Sequence, residues 1–554
     1  MNNNVDNRSY IEKIISKEVK AGKHNKIITR FPPEPNGHLH IGSIFAINIS
    51  YSMAQKFGGK FNLRFDDTNP LKEDMQYVNS IIEDMNWLGI DYGNKPLFGS
   101  DYSQQIYDYA LYLISKGKAF VCDLSPDEIR EYRGTLTEVG KNSPYRDRTI
   151  AENIRLFKAM KNGEFATGEK VLRAKISMSS ANINLRDPII YRIIHESHYR
   201  TKDAWCIYPM YDYAHPIQDY IEGVTHSLCS NEFVNNRPLY EWVLTNLDLP
   251  NNLPRQIEFG RLNLTGVVTS KRYLRKLVTD KYVNGWDDPR LPTIKGLRRR
   301  GIPKEAIFNF LNEIGIPKNQ STVDYKMLEH FARQELKQVS PCVMAVLKPL
   351  KVVITNLNNE IELTANNHFA NEEMGSRELT FTRELYIERD DFSDNPPAKY
   401  KRLVLGGEVR LKNAYFIKCN EIIKDETGKI IELHCTYDPQ TKSGSGFTGR
   451  KVKGTIQWVS VSNAVKIKAR IFNDLFKQEV NTDNIFESLN ENSLKEYESA
   501  YIEPSITTFI NKGISKFQFI RLGFFSYDIE LSQDKNITFN RIVALKSAYR
   551  KTLK

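Results

Sequence analysis

Residues 33–42 read PEPNGHLHIG, and this stretch decides how the first part of the chain folds. Residues 26–31 before it read KIITRF, a β-branched run that predicts a buried strand. Proline and glycine then predict a turn, and a helix is expected to begin near Gly42. Such a helix start presents backbone N–H groups at the positive end of the helix dipole. The stretch therefore predicts an anion-binding site.

A second, distant stretch reads VTSKR at residues 268–272. Its Lys271 is a mobile cation of the kind that reaches phosphate oxygens. Together the two stretches predict the halves of a nucleotide-activating site. Considered alone, His40 is more typical of a packed or surface histidine and Lys271 of an ordinary loop lysine, so the interpretation depends on the pair.

The composition predicts a soluble, multidomain protein with a basic surface. The chain has 554 residues, too many for one core, so about three to five domains are expected. Its 78 basic and 67 acidic residues give a net charge of +11, which suits a nucleic-acid partner, although lysine enrichment alone also explains it. The six cysteines form no C-x-x-C pair, which argues against a zinc ribbon or a secreted disulfide framework. No signal pattern at residues 1–6 and no apolar run of about 18 residues occur, so we expect a cytoplasmic protein without a membrane span.

The first hundred residues alternate strand and helix patterns. A strand is predicted at residues 61–65, followed by Asp66, and a helix is predicted from Asn69-Pro70 to Gly89. This alternation predicts a parallel sheet, whose ligands bind beyond the carboxyl ends of its strands. Asp66 and the PEPNGHLHIG turn both fall at such ends. The apolar face of the predicted helix consists of Met75, Val78, Ile81, Ile82 and Met85.

Farther along the chain the pattern changes three times. Residues 101–210 are more charged and are interpreted as a domain inserted between two halves of the sheet. Residues 270–340 are predicted to be helical, and their basic triplet at 298–300 fits a solvated helix end or a phosphate contact. After residue 345 the period becomes two, which predicts antiparallel β-barrels, either one or two.

These stretches resemble the signature regions of class I glutaminyl-tRNA synthetases. Residues 30–42 resemble the H-I-G-H region, and residues 268–272 resemble the second signature in its V-M-S-K-R form. The likeness runs in order from about Tyr10 to about Phe539, which makes it far more specific than one short motif. Further matches lie at residues 63–70, 205–212 and 402–406.

The resemblance implies a multidomain α/β and all-β architecture with two barrels. A Rossmann-like parallel-sheet catalytic domain would carry an inserted acceptor-stem-binding domain, followed by a helical domain and two C-terminal antiparallel β-barrels that bind the anticodon. The expected ranges are 1–25 for an N-terminal helical extension, 26–100 and 211–261 for the catalytic fold, 101–210 for the insertion, 262–339 for the helical domain with the second signature loop, 340–355 and 477–554 for the proximal barrel, and 356–476 for the distal barrel.

The resemblance also implies the reaction. ATP with Mg²⁺ and glutamine would give glutaminyl-adenylate and pyrophosphate, and the glutaminyl group would then move to the 2′-hydroxyl of the terminal adenosine of tRNA(Gln). We expect a monomer with neither a tightly bound cofactor nor a resident metal. Because the substrate carboxylate is already a nucleophile, positioning and charge stabilisation should carry the rate. His40, Ser43 and Lys271 are therefore assigned the catalytic roles.

The resemblance assigns a glutamine pocket and an ATP pocket. Asp66 is expected to bind the α-ammonium group, and Asp67 is the alternative candidate for a cap or turn carboxylate. Tyr211 is expected to contact the side-chain amide, with Gln256 acting through water and Arg30 in the same pocket. The expected ATP contacts are Glu34, Pro35, Asn36, His40, Ile41, Gly42, Ser43, Ile44, Phe45, Ala46, Ser230, Arg261, Leu262, Thr269, Ser270 and Lys271.

The expected tRNA contacts fall in two regions. Leu136 lies in the loop that, in the family, wedges apart the first acceptor base pair, at a cost of a few kcal/mol of unstacking. Sequence-specific RNA recognition targets splayed loop bases, so polar and basic side chains on the barrels fit anticodon recognition, although each alone is typical of a solvated surface. The other expected contacts are Asn235, Lys318, Arg402, Arg410, Lys412, Gln518 and Arg521.

Four positions depart from the family pattern and leave three functions open. Ser43 replaces the second signature histidine and cannot carry charge, so slower activation is expected, and Thr269 replaces a methionine. Asn235 replaces an aspartate that contacts the acceptor stem, and Cys342 replaces an arginine at an anticodon base. We favour a glutamine-charging ligase, because Cys229 stands where glutamyl enzymes carry an arginine. The alternatives are a glutamyl or relaxed enzyme and a tRNA-binding protein with lapsed catalysis.

Overall fold

The structure is a computed structural model that describes residues 8–250, 252–477, 484–533 and 536–546. It divides into two compact units, each described by itself. One comprises Met1–Asn263 with Leu311–Val323, and the other comprises Leu264–Phe310 with Asp324–Lys554. Some predictions concern residues outside those described: the absence of a signal pattern at residues 1–6, and parts of the predicted ranges 1–25 and 477–554.

The chain from residue 10 to residue 265 is built of helices and strands, and the predicted strand–helix alternation is present over its first hundred residues. The elements are α1 (Tyr10–Lys20), β1 (Ile28–Phe31), α2 (Ile41–Lys56), β2 (Lys60–Phe65), α3 (Met75–Leu88), β3 (Leu97–Phe98), α4 (Ser103–Ser115), β4 (Ala119–Cys122), α5 (Pro126–Arg133), α6 (Ile150–Lys161), β5 (Val171–Ala174), β6 (Ile189–Ile193), β7 (Ile207–Pro209), α7 (Tyr211–Ile221), β8 (His226–Ser230), α8 (Arg237–Asn246), β9 (Arg255–Phe259) and β10 (Leu262–Thr265).

A parallel sheet forms the centre of the first unit. β1, β2 and β3 pair in parallel, and so do β8 and β9. β8 lies next to β1. Two hydrogen bonds join the start of the two strands: the backbone N–H of Thr225 donates to the carbonyl of Ile28 at 2.9 Å, and the N–H of Ile28 donates to Thr225 Oγ1 at 2.9 Å. The spatial strand order β3, β2, β1, β8, β9 confirms the predicted parallel-sheet catalytic fold. In this order the carboxyl ends of β1, β2 and β8 lie along one edge.

α3 begins later than the sequence predicts. Its N-cap is Asp74, which accepts from Gln76 N at 2.8 Å, and residues 70–72 form a turn instead of a first helical turn. The backbone N–H of Asp74 also donates to the carbonyl of Pro35 at 3.0 Å, so a tertiary contact fixes where the helix can start. Gly89 ends the helix with φ 73, as predicted. On the predicted apolar face, Val78, Ile81 and Met85 are buried, Ile82 is half-buried and Met75 is exposed.

The inserted segment has its own sheet. β4, β5, β6 and β7 pair in antiparallel order, and helices α4 and α6 cover one face. Stacked and edge-on rings of Tyr107, Phe157 and Tyr191 fill the space between sheet and helices. β7 ends at Pro209 and α7 starts at Tyr211, so the insertion delivers Tyr211 directly to the catalytic fold.

The chain after residue 270 is helical to residue 339 and then mostly β, as predicted. The elements are α9 (Lys271–Thr279), α10 (Ile294–Arg300), α11 (Lys304–Ile314), β11 (Ser321–Asp324), α12 (Lys326–Val339), β12 (Cys342–Val343), β13 (Ala345–Val346), β14 (Pro349–Ile354), β15 (Ile361–Asn366), β16 (Ser376–Phe381), β17 (Glu384–Glu388), β18 (Glu408–Leu411), β19 (Phe416–Lys424), β20 (Ile430–Asp438), β21 (Thr455–Ile456), β22 (Trp458–Ser460), β23 (Val465–Phe472), β24 (Leu494–Ile502), α13 (Ser505–Asn511), β25 (Lys516–Phe519), β26 (Gly523–Tyr527) and β27 (Ile537–Val543).

Two seven-stranded sheets form two nearly closed barrels. The first has the order β12-β25-β26-β27-β23-β24-β13, and the second has the order β21-β18-β19-β20-β14-β17-β22. The edge strands of each sheet are neighbours in the chain, separated only by buried Met344 in the first and buried Gln457 in the second. Each sheet therefore returns to its starting strand, which leaves little exposed edge.

The barrels are mixed, not antiparallel as predicted. β12 pairs in parallel with β25 and β23 with β27, and in the second barrel β14 pairs in parallel with β20 and β18 with β21. An alternating pattern marks strand faces but carries no signal for the direction of a partner that is distant in sequence. The pairings also place β14 in the second barrel and β23 in the first, each across a predicted boundary. Among the described residues, no helix is long and apolar enough to cross a bilayer.

Candidate active site

His40 caps the helix that follows the PEPNGHLHIG turn. Its Nδ1 accepts a hydrogen bond from the backbone N–H of Gly42 at 3.1 Å, which assigns the proton of a neutral ring to Nε2. The backbone N–H of His40 donates to Oγ of Ser43 at 3.3 Å and completes a reciprocal cap. Ser43 therefore has a structural partner at the helix start, a role that the sequence comparison with the signature did not indicate.

Gly42 permits this position of the His40 ring. A Cβ at Gly42 would lie 2.9 Å from Cε1 and 3.0 Å from Nδ1 of His40, so any larger residue pushes the ring away from the first helical turn. The glycine of the motif thus serves close approach of a side chain and needs no unusual backbone angle.

The turn is fastened to the end of the neighbouring strand. The backbone N–H of Asp66 donates to the carbonyl of Pro33 at 3.1 Å, and that of Asp74 donates to the carbonyl of Pro35 at 3.0 Å. Both predicted sites, the anion-binding turn and the carboxylate of Asp66, are consequently held side by side at the same edge of the sheet.

Asp66 has one occupied and one vacant acceptor oxygen. Arg64 Nε donates to Oδ1 at 2.8 Å, whereas Oδ2 is buried and has no hydrogen-bond partner among the described residues; His215 Nδ1 lies 3.9 Å from it. Burial raises the pKa of Asp66, and the Arg64 guanidinium opposes that rise. A buried carboxylate oxygen in this position suits a cationic ligand, since an ammonium group satisfies it.

Asp67 has a structural role, in line with its prediction as a cap or turn carboxylate. Its two oxygens accept from the backbone N–H and the hydroxyl of Ser100, both at 2.7 Å, and from the hydroxyl of Tyr199 at 2.9 Å. The adjacent carboxylates therefore differ: Asp67 is fully engaged by the protein, and Asp66 retains capacity for a ligand.

Arg30, expected at the glutamine pocket, lies in a buried ionic network. Its side chain is 1% exposed and donates to Asp219 Oδ1 at 3.1 Å, to Ser227 Oγ at 2.8 Å and to the carbonyl of Leu228 at 2.9 Å. Arg64 Nη1 donates to the same Asp219 oxygen at 2.7 Å. Burial alone would raise the pKa of Asp219, but the two guanidiniums hold it well below its usual range. The charge of Arg30 is thus balanced within the fold.

His215 connects this network to Tyr211. Its two ring nitrogens face Arg30 Nη2 at 2.7 Å and Arg64 Nη2 at 2.9 Å, and burial lowers its pKa well below the usual value. The ring of Tyr211 stacks on the imidazole with centroids 4.9 Å apart. Neither His215 nor Asp219 was predicted from the sequence; their spacing of four residues, which places both on one face of α7, was the available signal.

The predicted glutamine pocket has an uncharged side chain at Cys229. Burial raises the pKa of the Cys229 thiol to about 12, so it is neutral at physiological pH. On the neighbouring strand, Gln256 Nε2 donates to Glu258 Oε1 at 3.0 Å and to the carbonyl of Phe233 at 3.3 Å, which fixes its amide. Phe233 also packs against Tyr211 with ring centroids 5.7 Å apart.

The residues expected around the adenosine share one acidic partner. Ser230 Oγ donates to Glu232 Oε2 at 3.2 Å, and Arg261 Nη1 donates to Glu232 Oε1 at 2.6 Å. In the turn, the side-chain amide of Asn36 donates to Glu34 Oε2. These three hydrogen bonds order polar side chains at or just after the ends of β1, β8 and β9.

Four predicted ATP contacts are apolar core residues. The side chains of Ile41, Ile44, Phe45 and Leu262 are buried, and Phe45 packs edge-on against Phe259 with centroids 6.0 Å apart. They leave no side-chain surface for a ligand, whereas Ala46 on the same helix as Phe45 is half-buried. A contact to ATP from these four positions would have to involve the backbone.

Lys271 is the first residue of α9 in the second unit. Ser270 occupies the N-cap with extended backbone angles and makes no side-chain capping bond. A cation at the positive end of a helix is unfavourable by itself and is typical of a lysine that binds an anion there. Because Lys271 and Thr269 belong to a different unit from His40, their approach to the phosphate site stays a prediction.

The predicted acceptor wedge is exposed on a braced loop. Leu136 is 82% exposed, as a wedge requires, although a single exposed leucine needs no special explanation. Buried Arg186 supports the loop, since its Nη1 donates to the carbonyls of Arg133, Thr135 and Glu138 at 2.9, 2.8 and 2.7 Å. This role of Arg186 was not predicted from the sequence.

Two further predicted tRNA contacts lie in the first unit. Asn235 is exposed, and its carbonyl accepts from Asn182 Nδ2 at 2.8 Å and from Asn184 Nδ2 at 3.2 Å. Lys318 is exposed within Leu311–Val323, which belongs to the unit of the catalytic sheet and not to that of the barrels.

In the second unit, buried Asp391 joins two of the predicted anticodon contacts. Arg521 donates to it bidentately at 2.6 and 2.7 Å, and Arg402 Nη1 donates to the same carboxylate. Arg410 is held instead by the carbonyl of Thr441 at 2.8 Å and stacks over Phe416 at 4.2 Å. The three guanidiniums are therefore oriented by the protein itself.

A cavity of about 580 Å³ gathers the remaining anticodon candidates. Lys412, Gln518 and Cys342 all line it, and β12 and β25 place Cys342 directly opposite Gln518. Cys342 Sγ lies 3.8 Å from Gln518 Oε1. With cysteine in place of arginine, Lys412 is the cationic side chain among these three.

Comparisons with known proteins agree with this architecture. Residues 26–338 match the catalytic domain of tRNA synthetases class I (E and Q), and residues 340–438 and 455–528 match anti-codon binding domains of the same group. A glutamine–tRNA ligase of Clostridioides difficile (strain 630) is 54% identical over 555 residues, covering 99% of this chain and 100% of that protein. Those of Clostridium perfringens and Neisseria meningitidis serogroup A are 53% and 50% identical and cover 99% and 98% of this chain, and 100% and 98% of the relatives.

The chain therefore belongs to the class I tRNA synthetases of the glutamyl and glutaminyl (E and Q) family.

Proposed function

We propose that this chain ligates glutamine to tRNA(Gln) at the expense of ATP. The observation that carries the proposal is its identity of 54% to a glutamine–tRNA ligase over the full length of both chains. The pocket chemistry supports the same substrate, because Cys229 is neutral and the guanidinium of Arg30 is balanced by Asp219. A substrate carboxylate would lack a cationic partner there, so an uncharged amide is favoured.

Glutamine binds with its ammonium group on the vacant oxygen of Asp66. Oδ2 is buried and unpartnered among the described residues, while Arg64 on Oδ1 keeps the carboxylate oriented. Tyr211, stacked on His215, and the fixed amide of Gln256 then contact the side-chain amide of the substrate. This arrangement directs the substrate carboxylate toward the turn beside β1.

ATP binds at the turn with its phosphates at the start of α2. The Nε2–H of His40 supplies a donor, and Lys271 supplies a cation from its own helix start. The backbone N–H of Gly42 donates to His40 Nδ1 and that of Ser43 donates to the His40 carbonyl, so a phosphate has to replace these cap bonds to use them. Mg²⁺ accompanies ATP as part of the substrate. A carboxylate oxygen of glutamine attacks the α-phosphorus, the bond from that phosphorus to the bridging oxygen breaks, and pyrophosphate departs with the electron pair.

The adenylate then reacts with tRNA. The 2′-hydroxyl oxygen of the terminal adenosine attacks the activated carbonyl, its proton is lost, and AMP leaves. Leu136 on its braced loop opens the acceptor stem, and the second-unit cavity lined by Lys412 and Gln518 receives an anticodon base. We propose a cytoplasmic monomer.

A charging assay tests the proposal against its two alternatives. Purified chain receives ATP, Mg²⁺, tRNA(Gln) and either glutamine or glutamate, and acylated tRNA is counted. Charging with glutamine supports the proposal; charging with glutamate alone contradicts it, and charging with both indicates a relaxed enzyme. No acylation with either amino acid would indicate lapsed catalysis.

Lys271→Ala tests the phosphate role separately. We expect adenylate formation to fall by orders of magnitude with tRNA affinity nearly unchanged, because the lysine acts on charge that develops in the transition state. Lys281→Ala, a lysine in the exposed turn after the same helix, is the matched control. Loss of tRNA affinity in Lys271→Ala with normal adenylate formation would contradict the role.

A further inference from the structure

A buried cluster of three metal-binding side chains lies away from the catalytic pocket. Glu18 is on α1, His24 follows that helix, and His226 is the first residue of β8. His226 Nε2 lies 3.0 Å and His24 Nε2 lies 3.5 Å from the same oxygen, Glu18 Oε2. One ligand atom from each of the three residues falls within 4.8 Å of the others, and all three residues are buried.

His24 has an unsatisfied nitrogen directed into this cluster. Its side chain is 2% exposed, and Nε2 has no hydrogen-bond partner among the described residues. Leaving a buried polar atom unpaired is costly, so a partner for this nitrogen would be stabilising. Its ring meets that of His226 edge-on with centroids 5.3 Å apart, and the Nε2 atoms of both rings lie near Glu18 Oε2.

The ring of His226 is oriented by a backbone-anchored hydroxyl. Its Nδ1 lies 2.9 Å from Thr225 Oγ1, and that oxygen also accepts from the N–H of Ile28 and donates to the Ile28 carbonyl at 3.1 Å. With the hydroxyl proton on the Ile28 carbonyl, a neutral His226 donates from Nδ1 and has a lone pair on Nε2 facing Glu18 Oε2, 3.0 Å away. A metal ion between these two acceptors satisfies both, and the bond from Nδ1 to Thr225 is the second-shell arrangement common for histidine metal ligands.

We propose that Glu18 Oε2, His24 Nε2 and His226 Nε2 bind a zinc ion that fastens α1 to the first residue of β8. Zinc bonds of about 2.0–2.1 Å in a tetrahedron place ligand atoms about 3.3 Å apart, close to the 3.0 and 3.5 Å observed. Two imidazoles and a carboxylate suit zinc, and a water completes the four ligands. The site goes beyond the proposed ligase function and differs from the expectation of no resident metal.

Two neighbouring cations limit the affinity without occupying the site. Arg255 Nη1 and Lys23 Nζ, the latter at 3.4 Å, both contact Glu18 Oε1 and not Oε2. They hold Glu18 ionised, yet their charge repels a metal ion. Both side chains are about half exposed, so Arg255→Gln removes one competitor with little disturbance of the fold. We therefore expect zinc to bind several-fold more tightly to Arg255→Gln.

The experiment is a zinc titration of the full chain after removal of metal by a chelator. Calorimetry gives stoichiometry and affinity, and Co²⁺ in place of Zn²⁺ gives a visible absorption band for tetrahedral nitrogen and oxygen ligands. We expect one equivalent of zinc, a higher thermal midpoint with zinc, and at least tenfold weaker binding in His24→Asn. His195→Asn alters an exposed histidine of the same unit and is the matched control.

Several outcomes would overturn the site. These are no saturable zinc binding by the native chain, equal affinity in His24→Asn and the native chain, or an equal loss in His195→Asn. Should His24→Asn fail to fold, Arg255→Gln decides: tighter binding supports Glu18 as a ligand, and unchanged affinity rejects it. Charging activity is read separately, so a negative zinc result leaves the ligase proposal unaffected.

Discussion

Arg64 donates its Nε–H to Oδ1 of Asp66 at 2.8 Å, and Oδ2 of that carboxylate is buried with no hydrogen-bond partner among the described residues. Asp66→Asn keeps the acceptor for Arg64 and places an amide where the ammonium group of glutamine would bind. A charged hydrogen bond contributes about 1.5–3 kcal/mol, so we expect the KM for glutamine to rise roughly ten- to a hundredfold. Steady-state charging with varied glutamine measures it.

The control for Asp66→Asn is Asp203→Asn, which neutralises an exposed carboxylate of the same unit. The KM for ATP should change little in either variant, because the Asp66 carboxylate is assigned to the amino acid and not to the nucleotide. An unchanged KM for glutamine in Asp66→Asn would remove the assigned role of the vacant oxygen.

Ser43→His restores the second histidine of the signature at a measurable structural cost. A histidine can donate to phosphate and carry charge, so we expect adenylate formation to become several-fold faster. The new side chain also removes the acceptor for the backbone N–H of His40, and the loss of a cap destabilises by about 0.5–2 kcal/mol. Single-turnover adenylate formation and urea unfolding measure the two effects.

Ser43→Ala separates these effects, because it removes the same cap and supplies no donor. Equal rates of adenylate formation in Ser43→His and Ser43→Ala would contradict the prediction. They would show that a histidine at this position does not speed activation.

Local patterns in the sequence predicted the local parts of the structure. The strand at residues 28–31, the turn after it and the helix end at Gly89 follow from β-branched runs, proline and glycine. The start of α3 was wrong because a tertiary bond from Asp74 to Pro35 decides it. The direction of the barrel strands was wrong because parallel partners such as β12 and β25 are distant in the chain.

In the candidate site, too, local motifs led to predictions, whereas partners that are distant in the chain were missed. Motif matching predicted a ligand role for Asp66, to which the structure adds that one oxygen of its carboxylate is buried and unpaired among the described residues. It missed Asp219 and His215, because their partner Arg30 is 189 and 185 positions away and only the folded sheet brings them together. Buried arginines in strands are the general sign that such acidic partners exist.

The titration of Glu73 makes the stability of the first unit decrease as pH rises. Burial foremost, and the negative charge of Asp67, raise its pKa from 4.5 to about 9. Between these values the folded state keeps a proton that the unfolded state releases, so stability is present below about pH 4.5 and is lost as pH rises toward 9. The slope is at most about 1.4 kcal/mol per pH unit. His198 Nε2, which lies 3.5 Å from Glu73 Oε2, has its pKa lowered to about 4 and stays neutral across this window.

Glu73→Gln removes this slope, because an amide does not titrate. We expect the difference between the thermal midpoints, variant minus native chain, to increase as pH rises from about 5 to about 8. Glu196→Gln changes an exposed glutamate of the same unit and should follow the native chain at every pH. A constant difference between Glu73→Gln and the native chain over this range would contradict the raised pKa.

Asp391→Asn should weaken tRNA binding although it makes the protein more basic. Asp391 is buried and orients both Arg402 and Arg521, so its loss frees two guanidiniums expected to contact the anticodon arm. Removing a buried carboxylate from charged hydrogen bonds also destabilises the second unit by about 1–3 kcal/mol. The neighbouring Asp390 is an exact charge match, with a side chain 74% exposed beside Lys348, so Asp390→Asn should leave affinity equal or slightly tighter. Filter binding of tRNA(Gln) to both variants at one salt concentration distinguishes orientation from net charge, and equal tightening in the two would show that charge alone governs this surface.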